Sequence, residues 1–289
     1  MEAAGVGTLV IAACGFAMLL FHPDSPLPNA VEGLAWRRLA MGIAMGATAA
    51  MLVYSPWGKQ SGAHFNPAVT LTYYRLGRIA PADALAYSLA QMTGALAAIG
   101  LMAIVFGRWL SHPAIHYASA MPGMSGDWIT WLAEALLTLT TMTVVLSASN
   151  SKRFARWTGV LAALVTVANV SVLVPLVGTS SNPAPAFATA VPAHAWQSLW
   201  IYLTAGPLGM LAAAAIYVRR HGQSAVFCAK LHHQNDKRCI FCQWRAAEVA
   251  NCNPTTNCNL TTATASNKET PQKDGFSMAA CKEQFPCPR

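Results

Sequence analysis

Charge is what this chain has least of. Acidic and basic side chains make up 10% of its 289 residues, hydrophobic ones 54%, and the mean hydropathy is +0.38. Soluble domains carry roughly a quarter charged residues, so this composition excludes a soluble enzyme. What charge there is sits unevenly: much of the net +8, and seven of the eight cysteines, lie at or beyond a membrane exit near Arg219. Residues 1–220 therefore read as a bilayer-embedded body, and 221–289 as a largely disordered, Cys- and His-containing tail. Two further absences narrow the class. The apolar runs contain no nucleophile–base arrangement, which argues against catalysis. No basic leader precedes the first run, where the charged side chain is the acidic Glu2. Ile11-Ala12-Ala13-Cys14 has the look of a lipoprotein cleavage box, but without that leader the run reads as a membrane span.

Six such runs are present, at about 3–21, 39–54, 85–106, 128–149, from the basic turn at 152–156 to about 175, and 199–218. The second is rich in Gly42, Ala44, Gly46, Ala47, Ala49 and Ala50, small residues that let helix backbones approach closely in lipid. Between the second and third runs stands Ser61-Gly62-Ala63-His64-Phe65-Asn66-Pro67-Ala68, and between the fifth and sixth stands Thr179-Ser180-Ser181-Asn182-Pro183-Ala184. Each puts Pro at a first helical position, where its missing N–H is no loss. Gly77 and Pro81 stop the first of these helices, and Pro192 the second, too early to span a bilayer. Three runs with a half-helix after the second are thus repeated, at about 1–108 and 127–220, and an odd number of crossings inverts the second set. The fold expected is all-α, with six transmembrane helices and two re-entrant half-helices in an inverted repeat. Lys59, Arg75, Arg78, Lys152, Arg153, Arg156, Arg219 and Arg220 outnumber Arg37, Arg38 and Arg108 on the other side, which puts both termini in the cytosol. His112 and His116, separated by Pro113, read as loop histidines rather than metal ligands.

Two half-helices entering from opposite faces bring their N-termini together near the midplane, each with roughly half a positive charge. That point repels cations, protons included, while the amides of Asn66 and Asn182 can donate to a passing oxygen. Such a site suits a neutral, hydroxyl-bearing solute.

The double Asn-Pro-Ala, the Ser-Gly-Ala-His-Phe lead-in, Glu2 with Gly7-Thr8 and Cys14-Gly15, Gln91, Glu134, and Gly206-Pro207-Leu208-Gly209 resemble the aquaporin and glycerol-facilitator (major intrinsic protein) family. The resemblance covers about residues 2–220. It implies a tetrameric membrane channel, not an enzyme, that passes water or small uncharged solutes without a cofactor, in the plasma (inner) membrane, with no nucleic-acid partner. It also implies that Asn66, Pro67, Ala68, Asn182, Pro183, Ala184 and His64 line the pore, and that Glu2 and Glu134, with Gln91, support the pore loops. The family usually follows its second box with Arg; here that position is Pro185. Counting from the two boxes, the selectivity constriction falls at Gly46, Val170, Thr179 and Pro185, with Gly46 fixed only to within a residue or so. A constriction so built is wide and uncharged, suited to glycerol, urea or undissociated metalloid acids. The sequence favours that reading over its alternatives, a leak of ions past the constriction or its occlusion by a neighbouring side chain.

In the tail, Cys228, His232, His233, Cys239 and Cys242 have the ligand types and close spacings of a site for zinc or another soft metal, although the spacing matches no standard finger. Cys252, Cys258, Cys281 and Cys287 follow in a polar stretch; Cys228 is also a candidate for acylation, and Asn259-Leu260-Thr261 matches a glycosylation acceptor. The first reading is a passive channel for small neutral solutes. The alternative makes the body an anchor and the Cys-rich tail a metal sensor, thiol sensor or partner-docking module.

Overall fold

The computed structural model describes residues 1–123 and 126–242, and every regular element among them is helical. The six spans are Glu2–Phe21, Leu34–Tyr54, Pro81–Ser111, Asp127–Ser149, Ala155–Val177 and Leu199–His221. Five are long and apolar enough by composition to cross a membrane. The second, Leu34–Tyr54, matches them in length, but it begins earlier than its apolar run, so Arg37 and Arg38 lie inside its first turns and dilute its hydropathy.

The half-helices are Pro67–Arg75 and Pro183–Ala193. Nine residues at 1.5 Å each reach about 13 Å, less than half the hydrocarbon thickness. Each is capped by its Asn, whose side-chain oxygen accepts the N–H of the second helical residue, Ala68 or Ala184, and each has Pro at the first position. Each is packed in part by the other half of the chain. Ala68, Val69 and Tyr73 pack against Met142 and Leu146 of the fourth span and Met210 and Ala213 of the sixth. Ala184 and Ala188 pack among Val6 and Val10 of the first span and Ala95 and Ile99 of the third. This exchange buries much of both stubs, their starts above all, as a non-spanning helix in a bilayer requires.

The inverted repeat is visible in the packing of two glycines. A Cβ on Gly94 of the third span would stand 2.2 Å from the Ala3 carbonyl oxygen, and one on Gly209 of the sixth would stand 2.2 Å from the Ala135 carbonyl oxygen. Ala3 follows Glu2 and Ala135 follows Glu134, so the same close crossing is built twice. It seats a carboxylate at the same level in each half.

Two features depart from the sequence expectation. The fifth span is not one regular helix, for a π-helical turn, Asn169–Leu173, interrupts it. Pro175 lies just beyond and has no N–H to return to the preceding turn, a setting in which helices commonly widen. The second departure concerns the start of the tail. Residues 223–242 fold back onto the body, with Val226, Ala229 and Leu231 buried in the same apolar cluster as the first half-helix. A short helix, Pro56–Ser61, also precedes the first pore loop.

Candidate functional site where the half-helices meet

The two half-helices begin beside each other, and each Asn reaches across to the opposite loop. Asn66 Nδ2 donates to the Ser181 carbonyl at 2.8 Å, and Asn182 Nδ2 donates to the Phe65 carbonyl at 2.8 Å. With each Oδ1 occupied by its own helix cap, at 2.8 and 3.1 Å, every carboxamide retains one further N–H. Asn66 and Asn182 are accordingly both pinned in position and still able to donate.

Phe65 and Ser181, the residues just before the two asparagines, take positive φ of 45° and 58°. A left-handed conformation in a residue with a side chain costs about 1–3 kcal/mol and needs support from its surroundings. Here the support is explicit on both sides of each peptide. The Phe65 N–H donates to Glu2 Oε2 at 2.6 Å and the Ser181 N–H to Glu134 Oε1 at 2.7 Å, while their carbonyls receive the opposing asparagines. His64 N–H and Ser180 N–H add second bonds to the same carboxylates, at 3.3 and 3.0 Å. Glu2 also accepts from Ser61 Oγ at 2.6 Å and Gln91 Nε2 at 2.7 Å. Both carboxylates are buried, and their oxygens are taken up by these donors. Such an arrangement anchors backbone.

The remaining predicted residues fall less uniformly. Thr179 is buried, its hydroxyl donating to Asn169 Oδ1 at 2.7 Å, and Asn169 in turn reaches Ser181 Oγ at 3.4 Å. Val170, beside Asn169 in the π turn, and Pro185, at the third position of the second half-helix, are each partly exposed. Pro185 removes the N–H that Val69 offers at the matching place in the first half-helix. Gly46 departs from its expected place. A Cβ there would lie 2.6 Å from Val167 Cγ2 and 2.8 Å from the Ala163 carbonyl oxygen, so Gly46 is where the second span crosses the fifth. Ile43 and Met51 occupy the outward side of that span, 53% and 66% exposed, which leaves Met45 and Ala49 on the side away from lipid.

His64 also departs. Instead of opening onto the space between the boxes, its ring is buried under the returning tail segment. Nε2 donates to the Ala229 carbonyl at 2.6 Å, Nδ1 lies 3.0 Å from Thr70 Oγ1, and the ring stacks on Tyr73 and Phe241. A contact between a pore loop and a segment 165 positions later has no signature in local sequence.

Of the five candidate metal ligands, the structure brings four together. The ligand atoms of Cys228, His233, Cys239 and Cys242 all lie within 4.8 Å of one another. His232 is turned away, its Nε2 on the Gln234 carbonyl at 2.7 Å and its ring edge-on to Tyr54. Burial and the neighbouring thiols push the Cys228 thiol well above the usual range. Cys252, Cys258, Cys281, Cys287 and Asn259 lie outside the described residues.

With these features in place, the comparisons decide the family. The major intrinsic protein family matches residues 1–217. This chain belongs to that family. It is 30% identical over 218 residues to a probable NIP-type aquaporin of Nicotiana alata, covering 75% of this chain and 74% of that one. It is 31% identical to the glycerol uptake facilitator protein-like 6 of Lactiplantibacillus plantarum, over 68% of this chain and 87% of the relative. Among solved structures, the Plasmodium falciparum aquaglyceroporin superposes with a TM-score of 0.60 at 16% identity, over 75% of this chain and 92% of the other, a likeness of fold. As a major intrinsic protein, the chain is an integral membrane channel for water and small solutes.

Proposed function

We propose that this major intrinsic protein passes small uncharged solutes of glycerol and urea size, undissociated metalloid acids among them, together with water and down their gradients. The observation that carries this reading is Pro185, which directly follows the second Asn-Pro-Ala box, where the family resemblance leads one to expect an Arg. A half-helix that opens on Asn182-Pro183-Ala184-Pro185 puts neither a fixed charge nor a backbone donor at its third position. With Gly46 spent on helix packing, we assign the second span's part of the constriction to Met45, one position away and facing inward. A flexible thioether, Val170, Thr179 and Pro185 make a ring that is apolar and adaptable, suited to the carbon side of a polyol. Asn66 and Asn182 offer their remaining N–H groups to the solute's oxygens, and the two half-helix ends turned toward each other disfavour cations. One relative is named as a glycerol uptake facilitator, which agrees with this solute class.

The channel sits in the plasma membrane as a homotetramer, with Lys59, Arg75, Arg78, Lys152, Arg153 and Arg156 toward the cytosol and both termini on that side. The test is a stopped-flow swelling panel on proteoliposomes with water, glycerol, urea and arsenite (the metalloid as its neutral acid), with a membrane-potential dye present. Glycerol and urea flux without depolarisation supports the proposal. Water flux alone, or depolarisation in an ion gradient, contradicts it.

A further inference from the structure

We propose that residues 223–242 form a metal-locked cap over the cytosolic mouth of this channel. A thiophilic divalent ion of the zinc class, held by Cys228, His233, Cys239 and Cys242, keeps the cap on the first pore loop, and its occupancy lowers solute flux. The proposal rests on the channel reading and on the orientation just given.

Geometry makes the four residues a coherent ligand set. Cys228 Sγ and Cys239 Sγ are 3.4 Å apart, and His233 Nε2 and Cys242 Sγ 3.0 Å apart, within the cluster whose ligand atoms span 4.8 Å. A tetrahedral zinc with its usual bonds to sulfur and imidazole has ligand–ligand edges of about 3.4–3.8 Å, so small adjustments would close the four around one ion. Three thiolates and one imidazole on a divalent ion leave one negative charge. Lys230 meets it: this lysine is 1% exposed, forms no ion pair among the described residues, and lies within electrostatic reach of Cys239, Cys228 and Cys242. A buried ammonium whose hydrogen bonds among the described residues go to Asn235 Oδ1 and the Lys237 carbonyl, each at 3.3 Å, is costly unless a negative centre stands near it. The metal–thiolate centre supplies one.

The same segment bridges the mouth. Gln223 Nε2 donates to the Leu76 carbonyl at the end of the first half-helix, the Phe227 N–H donates to Asn150 after the fourth span, and Asp236 pairs with Lys59 before the first pore loop at 3.4 Å. Between these moorings the cap engages the loop itself. The Leu231 N–H donates to the Gly62 carbonyl at 3.1 Å, the Ala229 carbonyl accepts from His64, and the Phe241 ring lies parallel to the His64 imidazole at 5.7 Å between centroids. These contacts take up polar groups on the approach to Asn66 that an entering solute would otherwise meet. The ion would tie the two arms of the cap, the one carrying Cys228 and His233 and the one carrying Cys239 and Cys242, with Phe241 directly before the last ligand. Losing the ion frees the second arm, and with it the ring that covers His64.

The experiment uses the full chain, purified and reconstituted, with zinc as the probe. Elemental analysis and the thiolate absorption of a cobalt-substituted sample read the site. Glycerol swelling before and after a membrane-permeant chelator, and again after zinc is restored, reads the mouth. The expected results are one ion per chain and a flux that rises on the order of tenfold on stripping, within the usual range of coupling between two sites, and falls again with zinc. Cys239→Ser with Cys242→Ser should bind no ion and pass glycerol fast regardless of chelator. Phe241→Ala should keep the ion yet pass glycerol fast, which covers the case that the cysteine variant does not fold. A chain without the ion, or a flux that responds to reductant and not to chelator, as a Cys228–Cys239 disulfide would make it, overturns the proposal. A bound ion whose removal leaves flux unchanged overturns the gating alone. If no solute passes in any of these proteins, stripped or loaded, the channel reading falls and the gating with it, while the metal count still reads the site.

Discussion

Glu134→Gln separates an anchor from a proton path more cleanly than any other change in this chain. An ionisable residue inside a membrane is by default a transport site, and Glu134 lies wholly buried in the fourth span. Its two oxygens, however, accept the Ser180 and Ser181 N–H groups at 3.0 and 2.7 Å, and Ser181 is the residue held at positive φ to present its carbonyl to Asn66. Glutamine keeps the shape, but one of its two positions becomes an NH2 group facing a backbone N–H. One charge-assisted bond is lost outright and the other is weakened, a loss of about 2–5 kcal/mol at the loop. That is comparable to the whole margin by which the left-handed turn is held. The second half-helix should lose its fixed start, so glycerol and water flux fall together in proteoliposomes and the midpoint of thermal unfolding in detergent drops. A Glu134→Gln protein that keeps both fluxes within about twofold and leaves the melting midpoint in place would mean that Glu134 does not hold the loop. A variant that keeps solute flux but abolishes a proton current would show that Glu134 carries protons instead.

Other consequences follow from the same contacts. Asn182→Asp removes the N–H that holds the Phe65 carbonyl and puts a negative charge at two converging positive helix ends; cation leak, read with a potential dye, should appear where the parent shows none. Gly46→Ala forces a methyl into Ala163 and Val167 and should destabilise by about 1–3 kcal/mol, seen as a lower melting midpoint, whereas Met45→Ala should leave stability nearly intact and raise the flux of bulky polyols. Equal effects of the two on flux would place the constriction elsewhere.

The body of the fold was legible because a bilayer leaves few options. Six apolar runs, two Asn-Pro-Ala boxes and the breakers Gly77, Pro81 and Pro192 specify spans and stubs without any knowledge of tertiary contacts. Glu2 and Glu134 were legible as loop anchors only through resemblance, since nothing local says which backbone groups a buried carboxylate will find. The count that points to Gly46 holds only to within a residue or so, because one residue on a helix turns the side chain by about 100° and the short helix Pro56–Ser61 lies between the second span and the first box; in the structure Gly46 itself packs against Ala163 and Val167. The environment of His64 was hidden for a different reason. Residues 226–241 show neither helical nor strand periodicity, and they gain their order from docking on the body and on one another through Cys228, Lys230 and Cys239. Segments that fold by contact with a distant surface carry no pattern of their own. The reciprocal Asn66–Ser181 and Asn182–Phe65 bonds are likewise a product of the inverted repeat as a whole, visible only when the halves are brought together.

The proposed function turns on whether an uncharged constriction ending on Pro185 admits solutes larger than water. The ratio of glycerol to water permeability in proteoliposomes, measured side by side for the parent and for Pro185→Arg, tests it most directly. A ratio that is high in the parent and falls severalfold in the variant, with water flux kept, is expected of such a constriction; a parent that passes water but no glycerol, or a variant whose ratio does not move, rules it out.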